Sequence, residues 1–68
     1  MEKTLLKASN WIEGKGIKTS RIILTTWNET TPFVTHIECK DGSKLSGRYF
    51  KKIDDALLDF NVRTIEVN

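Results

Sequence analysis

The turn at Lys40-Asp41-Gly42 constrains the fold more than any other feature, because it joins two segments in which apolar and polar residues alternate. Asp-Gly is a strong hairpin signal, and the loop length fixes the register of the two strands. A two-residue loop would place Ile37 and Leu45 on opposite faces. A three-residue loop with a left-handed Gly42 pairs Ile37 with Leu45 and collects the apolar residues on one face. We therefore predict the three-residue loop.

This register assigns every hairpin side chain to a face, and a small antiparallel sheet commonly buries one face and leaves the other in water. The predicted buried face carries Phe33, Thr35, Ile37, Cys39, Leu45, Gly47 and Tyr49. The predicted outer face, turned away from the core, carries Val34, His36, Glu38, Lys44, Ser46, Arg48 and Phe50. Glu38 then lies opposite Lys44, which is a favourable cross-strand pair.

An amphipathic helix is predicted after the hairpin, over residues 52–62. Four apolar residues recur with the helical period and form one stripe for packing on the sheet, namely Ile53, Ala56, Leu57 and Phe60. Asp54 and Asp55 in the first turn, and Arg63 at the end, suit the helix dipole.

The remaining segments complete a single domain spanning residues 1–68. Residues 17–27 are rich in β-branched residues and predict the first long strand, with both faces partly covered at Ile22-Ile23-Leu24. The alternation in Thr64–Val67 predicts a short edge strand at the C-terminus. In residues 1–14, Leu5, Leu6, Trp11 and Ile12 predict either a short strand or a partly ordered arm. The predicted class is α+β, with a three-stranded antiparallel sheet covered by one C-terminal helix in the order βββα.

Composition indicates a soluble globular domain, with 38% hydrophobic and 29% charged residues. The single Cys39 excludes an internal disulfide and fits a reducing compartment. No apolar run approaches the roughly 18 residues of a membrane span, so we expect a cytoplasmic protein without a membrane partner. Residues 1–52 hold ten basic and five acidic residues, whereas residues 53–68 hold one basic and four acidic residues. The domain is therefore predicted to be basic on its sheet and acidic on its helix.

Short sequence patterns resemble small uncharacterised proteins of bacterial phages and prophages. The resemblance is carried by Pro32-Phe33-Val34-Thr35, Gly47-Arg48-Tyr49-Phe50, Asp55-Ala56, Asp59-Phe60 and Arg63. These patterns are spread over about half the chain. It implies a mobile-element setting and no particular activity. The predicted topology also resembles the DNA-binding arms of some integrases, which combine a three-stranded sheet with one helix; this likeness concerns architecture alone.

The sequence holds no catalytic signature. His36 and Cys39 are three positions apart on one strand, so they point to opposite faces and cannot form a nucleophile–base pair. We predict a half-exposed His36 and a buried, apolar Cys39. One histidine and one cysteine do not make a metal site. We therefore predict a domain that is not an enzyme and binds no metal or cofactor.

Nucleic-acid binding, to DNA or RNA, is the favoured function, because basic residues gather on or near the predicted outer face. The candidate residues are Lys44, Arg48, Arg21, Lys18, Lys51, Lys52 and His36, with Trp27 and Phe50 available for stacking on bases. Two alternatives stay open. In the first, the basic face is solvated and binds no partner, and Trp11, Trp27 and Phe50 form a second core. Otherwise the domain is a protein-interaction module that binds or inhibits a host protein, or pairs as a homodimer through Thr64–Val67.

Overall fold

The structure, a computed structural model, describes residues 3–13 and 19–67. The described elements are β1 (Leu5–Ala8), β2 (Ser20–Thr26), β3 (Phe33–Cys39), β4 (Lys44–Phe50) and α1 (Ile53–Val67). The strands form one antiparallel sheet in sequence order, and α1 packs against β2, β3 and β4. The predicted α+β class, with one C-terminal helix on an antiparallel sheet, is confirmed. The sheet has four strands rather than three.

The additional strand, β1, lies within the predicted N-terminal arm. Leu5 pairs with Thr25 and Ala8 with Ile23, and a bulge interrupts the register between Leu5 and Lys7. The sequence left a short strand and an irregular arm open in this region, and pairing with β2 gives the strand. The predicted first strand over residues 17–27 is observed as the shorter β2, and Lys18 lies outside the described residues.

The predicted C-terminal edge strand is wrong, because α1 continues through Thr64 to Val67. The Thr64 hydroxyl donates a hydrogen bond to the Phe60 carbonyl at 2.8 Å, as it does within a continuous helix. Ala56, Phe60 and Arg63 are all at least 96% buried. Arg63 thus extends the packed stripe by a turn, instead of capping the helix end as predicted.

The core lies between α1 and the sheet. Its buried residues are Ile22, Leu24, Ala56 and Phe60, with Phe33, Ile37, Phe50 and Leu57 packed around them. Ile53 was predicted to belong to the stripe but is exposed at the first residue of α1. Ile23 and Val34 are buried on the opposite face of the sheet, which confirms the prediction that β2 is covered on both sides. Cys39 is buried as predicted.

The hairpin between β3 and β4 has the predicted three-residue loop. Ile37 pairs with Leu45 and Glu38 with Lys44. The Cys39 amide donates to the Ser43 carbonyl at 2.8 Å, and Gly42 has a φ of 92°, which glycine adopts at no steric cost.

A bulge in β4 changes the register beyond this point. The shift falls between the partners Thr35 and Ile37, and Ser46 has a φ of 51°. An extra residue reverses the alternation of side chains along the strand. Thr35 therefore pairs with Arg48, and the predictions that placed Arg48 and Phe50 on the outer face and Tyr49 on the buried face are wrong.

Candidate nucleic-acid interface

The face of the sheet opposite α1 carries the candidate site, and we keep the name outer face for it. Its described residues include Lys3, Leu5, Arg21, Ile23, Thr25, Trp27, Val34, His36, Glu38, Lys44 and Tyr49. No described helix covers this face. Ile23, Val34 and His36 are buried beneath the neighbouring side chains of this face, whereas Leu5, Lys44 and Tyr49 are exposed.

Three rings form a cluster at one end of the outer face. The ring centroids of Trp27 and Tyr49 are 5.5 Å apart, and those of Trp27 and His36 are 6.0 Å apart. His36 and Tyr49 meet edge to face at 6.4 Å, with an interplanar angle of 87°. These separations and tilts are the favourable ones for aromatic pairs. Tyr49 remains 49% exposed and Trp27 half-buried, so the cluster presents ring surface to solvent.

The bulge explains how Tyr49 and His36 come together. Gly47 lies directly beneath the imidazole, and a Cβ atom at that position would be 2.8 Å from His36 Nε2 and 3.1 Å from the Tyr49 hydroxyl oxygen. A side chain at Gly47 would therefore push both rings away. Glycine beside the bulge leaves room for the imidazole and the Tyr49 hydroxyl to approach the strand.

His36 is buried, whereas we predicted it to be half-exposed. Burial lowers its pKa, and the nearby cations Lys44, Arg63 and Lys3 lower the pKa further. The imidazole is therefore neutral at pH 7. Its Nδ1 is buried without a hydrogen-bond partner among the described residues.

Cations surround the aromatic cluster. The Lys3 ammonium lies 3.7 Å from the centroid of the Trp27 ring, a cation–π contact that brings the N-terminal residues onto this face. Lys44 is exposed opposite Glu38 on the neighbouring strand. Arg21 Nε donates to Glu38 Oε1 at 2.7 Å, so the carboxylate of Glu38 is already neutralised within the face.

A second aromatic group lies near Arg21. The Trp11 ring centroid is 4.6 Å from Arg21 Cζ and 4.3 Å from Lys40 Nζ, and Trp11 is partly exposed. The described surface thus has aromatic rings at two places with Glu38 between them. Its four cations, contributed by Lys3, Arg21, Lys40 and Lys44, outnumber its one carboxylate.

The centre of the outer face is concave, with a volume of about 420 Å³. Its lining residues are Lys3, Leu5, Ile23, Thr25, Trp27, His36, Glu38 and Lys44. This volume lies within the range of roughly 300–1,000 Å³ that is typical of small-ligand sites. Such sites also combine apolar walls with a few polar groups, as this concavity does.

The predicted site residues divide between the two faces. Lys44, His36 and Arg21 lie on the outer face. Lys51 and Lys52 are exposed in the bend before α1 and do not line the concavity. Lys18 lies outside the described residues. Arg48 points to the helix side, where Arg48 Nη1 donates to Asp59 Oδ1 at 2.8 Å.

Asp59 organises the polar contacts on the helix side. Burial would raise its pKa, but hydrogen bonds from the Thr35 hydroxyl, at 2.6 Å, and from Arg48 lower it, and the resulting pKa is below the usual value. Arg63 Nη1 donates to the Thr35 carbonyl at 3.2 Å, and Nη2 donates to the Ser46 carbonyl. Arg63 therefore links α1 to the bulge that positions Tyr49.

Sequence reasoning missed Lys3, Leu5, Trp11, Lys40 and Tyr49 as members of this surface. Gly47 inside a predicted strand was a signal for the bulge, and a bulge there would have moved Tyr49 to the outer face. Lys3 had no comparable signal, because its position depends on the pairing of β1 with β2, which the sequence did not specify.

Within residues 3–13 and 19–67, no three or more His, Cys, Asp or Glu side chains are grouped to hold a metal ion. No helix in these ranges is long and apolar enough to cross a membrane.

No protein-family model matches this chain, and comparisons with curated proteins and with solved structures give no significant match. Function is therefore inferred from the residues of the outer face themselves.

Proposed function

We propose that this chain is a non-enzymatic domain that binds single-stranded nucleic acid across the outer face of its sheet. The observation that supports this most directly is the pair formed by the half-buried Trp27 and the exposed Tyr49, with ring centroids 5.5 Å apart. The pair lies on a sheet face that no described helix covers, and Lys3 and Lys44 flank it. Aromatic side chains stack on bases, and lysine neutralises phosphates. The phage-type setting implied by the resemblance is kept as part of this proposal.

The bound nucleic acid is expected to be single-stranded, because bases within a duplex do not expose their flat surfaces to side chains. A base stacking on Trp27 takes the place of the Lys3 ammonium on that ring. The released ammonium then lies close to the incoming phosphates. The Trp11 ring with Arg21 and Lys40 offers a further stacking position along the same face.

The test is binding of a short labelled oligothymidine by fluorescence anisotropy over a series of salt concentrations. Affinity should fall with salt, at about 0.7 log units per log unit of salt for each phosphate contacted. Lys44→Ala should reduce this slope by about 0.7. Arg48→Ala is the matched control, because it removes a cation from the same strand but from the helix side, and its slope should be unchanged.

Stacking is tested with Tyr49→Ala and its control Tyr49→Phe. Loss of the ring should cost about 1–3 kcal/mol of binding free energy, whereas phenylalanine retains the stacking surface. Absence of oligothymidine binding at low salt, or equal slopes for the Lys44 and Arg48 variants, would overturn the proposal.

Protein binding is the second candidate, favoured by an apolar stripe on the solvent side of α1. Leu58, Val62 and Ile65 recur with helical spacing and are 65%, 42% and 75% exposed. Leu58 and Val62 also line a groove of about 410 Å³ with Phe50. Self-association is its simplest form. Sedimentation equilibrium should then show a concentration-dependent mass that Val62→Glu abolishes; a constant monomer mass would count against self-association.

A further inference from the structure

We propose that the concavity of the outer face is a guanine-recognition site in which Glu38 selects the base. This inference rests on the proposed nucleic-acid binding and adds base specificity to it. It concerns a residue that serves no purpose in phosphate neutralisation, because a carboxylate repels phosphates.

The arrangement of side chains provides a place for one base. Ile23 and His36 lie in the middle of the concavity on paired positions of β2 and β3. Glu38 follows His36 by two residues on the same face of β3. Trp27 contacts His36 from the opposite end, because Thr25 pairs with Val34 and Trp27 lies beyond it. A base over His36 therefore has Trp27 at one end and Glu38 at the other.

The hydrogen-bonding groups at the Glu38 end match guanine. Guanine presents two adjacent donors, N1–H and the N2 amino group, next to the acceptor O6. A carboxylate is an acceptor with two oxygens, and Lys44, opposite Glu38, is a donor that can reach O6. Cytosine and adenine offer one amino group to the carboxylate. Thymine and uracil place carbonyl oxygens on both sides of their single N–H, and a carboxylate repels these oxygens.

Glu38 is also held in position before any base arrives. Its side chain is only 19% exposed, and Arg21 Nε bonds to Oε1 at 2.7 Å. Each carboxylate oxygen has two acceptor sites, so Oε1 retains one and Oε2 retains both with respect to this ion pair. Hydrogen bonds made in a partly buried position discriminate more strongly than those made in water.

The experiment compares oligothymidine with the same oligomer carrying a single central guanine, adenine or cytosine. The protein should bind the guanine oligomer about tenfold or more tightly than oligothymidine, as expected for one bidentate base contact. Glu38→Gln should remove this preference while oligothymidine binding persists. Glu66→Gln, an exposed glutamate of α1, is the matched control and should keep the preference.

A further variant separates base contact from loss of the ion pair. Arg21→Leu removes the partner that holds Glu38 in position but leaves the carboxylate, so the preference for guanine over thymine should become smaller and still be present. Equal affinity for all four oligomers, or a preference that survives Glu38→Gln, would overturn the guanine site and leave the proposed function standing. Lack of binding to every oligomer would overturn both.

Discussion

Two arginines share the carboxylate of Asp59 but differ in their surroundings. Arg63 is 4% exposed and bonds to backbone carbonyls of β3 and β4, whereas the side chain of Arg48 is 51% exposed. Removing a buried cation leaves its acceptors unpaired, while an exposed ion pair contributes little. The same chemical group therefore has very different effects on stability at the two positions.

We expect Arg63→Ala to lower the free energy of unfolding by about 3–5 kcal/mol, as for one partner of a buried pair. Arg48→Ala should lower it by no more than about 1 kcal/mol. Urea denaturation followed by circular dichroism measures both. Similar losses for the two variants would show that Arg63 is not the buried link between α1 and the β4 bulge.

His36 makes stability depend on pH. Its unfolded pKa is near 6.5, and burial together with Lys44, Arg63 and Lys3 lowers the pKa in the folded state. Glu38 lies two residues away on the same face, already paired with Arg21. Between the two pKa values the unfolded chain binds more protons, so stability must fall as the pH falls through that window.

Denaturation midpoints should therefore decrease as the pH is lowered from about 7 through the region below 6.5, and His36→Phe should flatten this dependence. Asp59 does not interfere, because its lowered pKa places its contribution below its usual value of 3.8. A wild-type midpoint that stays constant over this range, or the same slope in the variant, would refute the assignment.

At the scale of elements, β4 marks the boundary between what local sequence specifies and what tertiary packing decides. The turn chemistry of Asp41-Gly42 and the alternation around Ile37 predicted the loop and the first pairs correctly. One extra residue at Ser46 then reversed the faces of Arg48 and Tyr49, and alternation alone carries no information about it. The bulge is stabilised by contacts from α1, which no local pattern contains.

In α1, too, local sequence predicts part of the structure and tertiary packing decides the rest. Its period predicted the burial of Ala56 and Phe60 correctly. The C-terminal end of the helix was predicted wrongly, because an arginine is expected at the surface. The guanidinium of Arg63 instead donates to carbonyl oxygens of the sheet. Of the candidate site, the basic sheet residues Lys44 and Arg21 were predictable, whereas the aromatic cluster depended on the bulge.

Substitution of Gly47 tests the close packing of His36 and Tyr49 against the β4 bulge. Gly47→Ala would place a methyl group 2.8 Å from His36 Nε2, so we expect a loss of about 1–3 kcal/mol in stability and weaker oligothymidine binding. Gly42→Asn is the control for binding, since no atom lies within 4 Å of that Cβ position. Its φ of 92° strains the backbone of any side chain there, least for asparagine, so its stability is also expected to fall. Its affinity should equal that of the wild type. An unaffected Gly47→Ala variant would contradict the close approach of His36 to β4.

The packed face of α1 is tested by Phe60→Ala, which should cost about 3–5 kcal/mol because it leaves a cavity against Ile22 and Leu24. Leu58→Ala removes an apolar side chain from the solvent side of the same helix and should change stability by about 0.5 kcal/mol or less. Denaturant titrations compare the two. A loss below about 0.5 kcal/mol for Phe60→Ala would refute its place in the core.

At the scale of the whole molecule, charge is distributed between two sides. The described outer face has four cations around one paired carboxylate, contributed by Lys3, Arg21, Lys40, Lys44 and Glu38. The helix carries four acidic residues, and its one arginine, Arg63, is buried. Arg48, Lys51 and Lys52 lie beside α1 and partly offset its acidic residues, so an anionic polymer is attracted more strongly to the outer face than to the helix. The outer face should therefore be the preferred surface, and this sets the preferred orientation of the bound nucleic acid.

Amide and indole chemical shifts, followed by NMR during an oligothymidine titration, test this orientation. The largest changes should fall on Trp27, His36, Lys44 and Tyr49, because these residues are expected to meet bases and phosphates. The chemical shifts of the exposed residues of α1 should not change, and these residues serve as the internal control. Added salt should reverse the changes on the outer face, because it weakens phosphate contacts. If the largest chemical-shift changes fell on Leu58 instead, the oligothymidine would lie on the acidic helix, which electrostatic attraction cannot explain. That result would overturn both the orientation and the outer face as the binding surface.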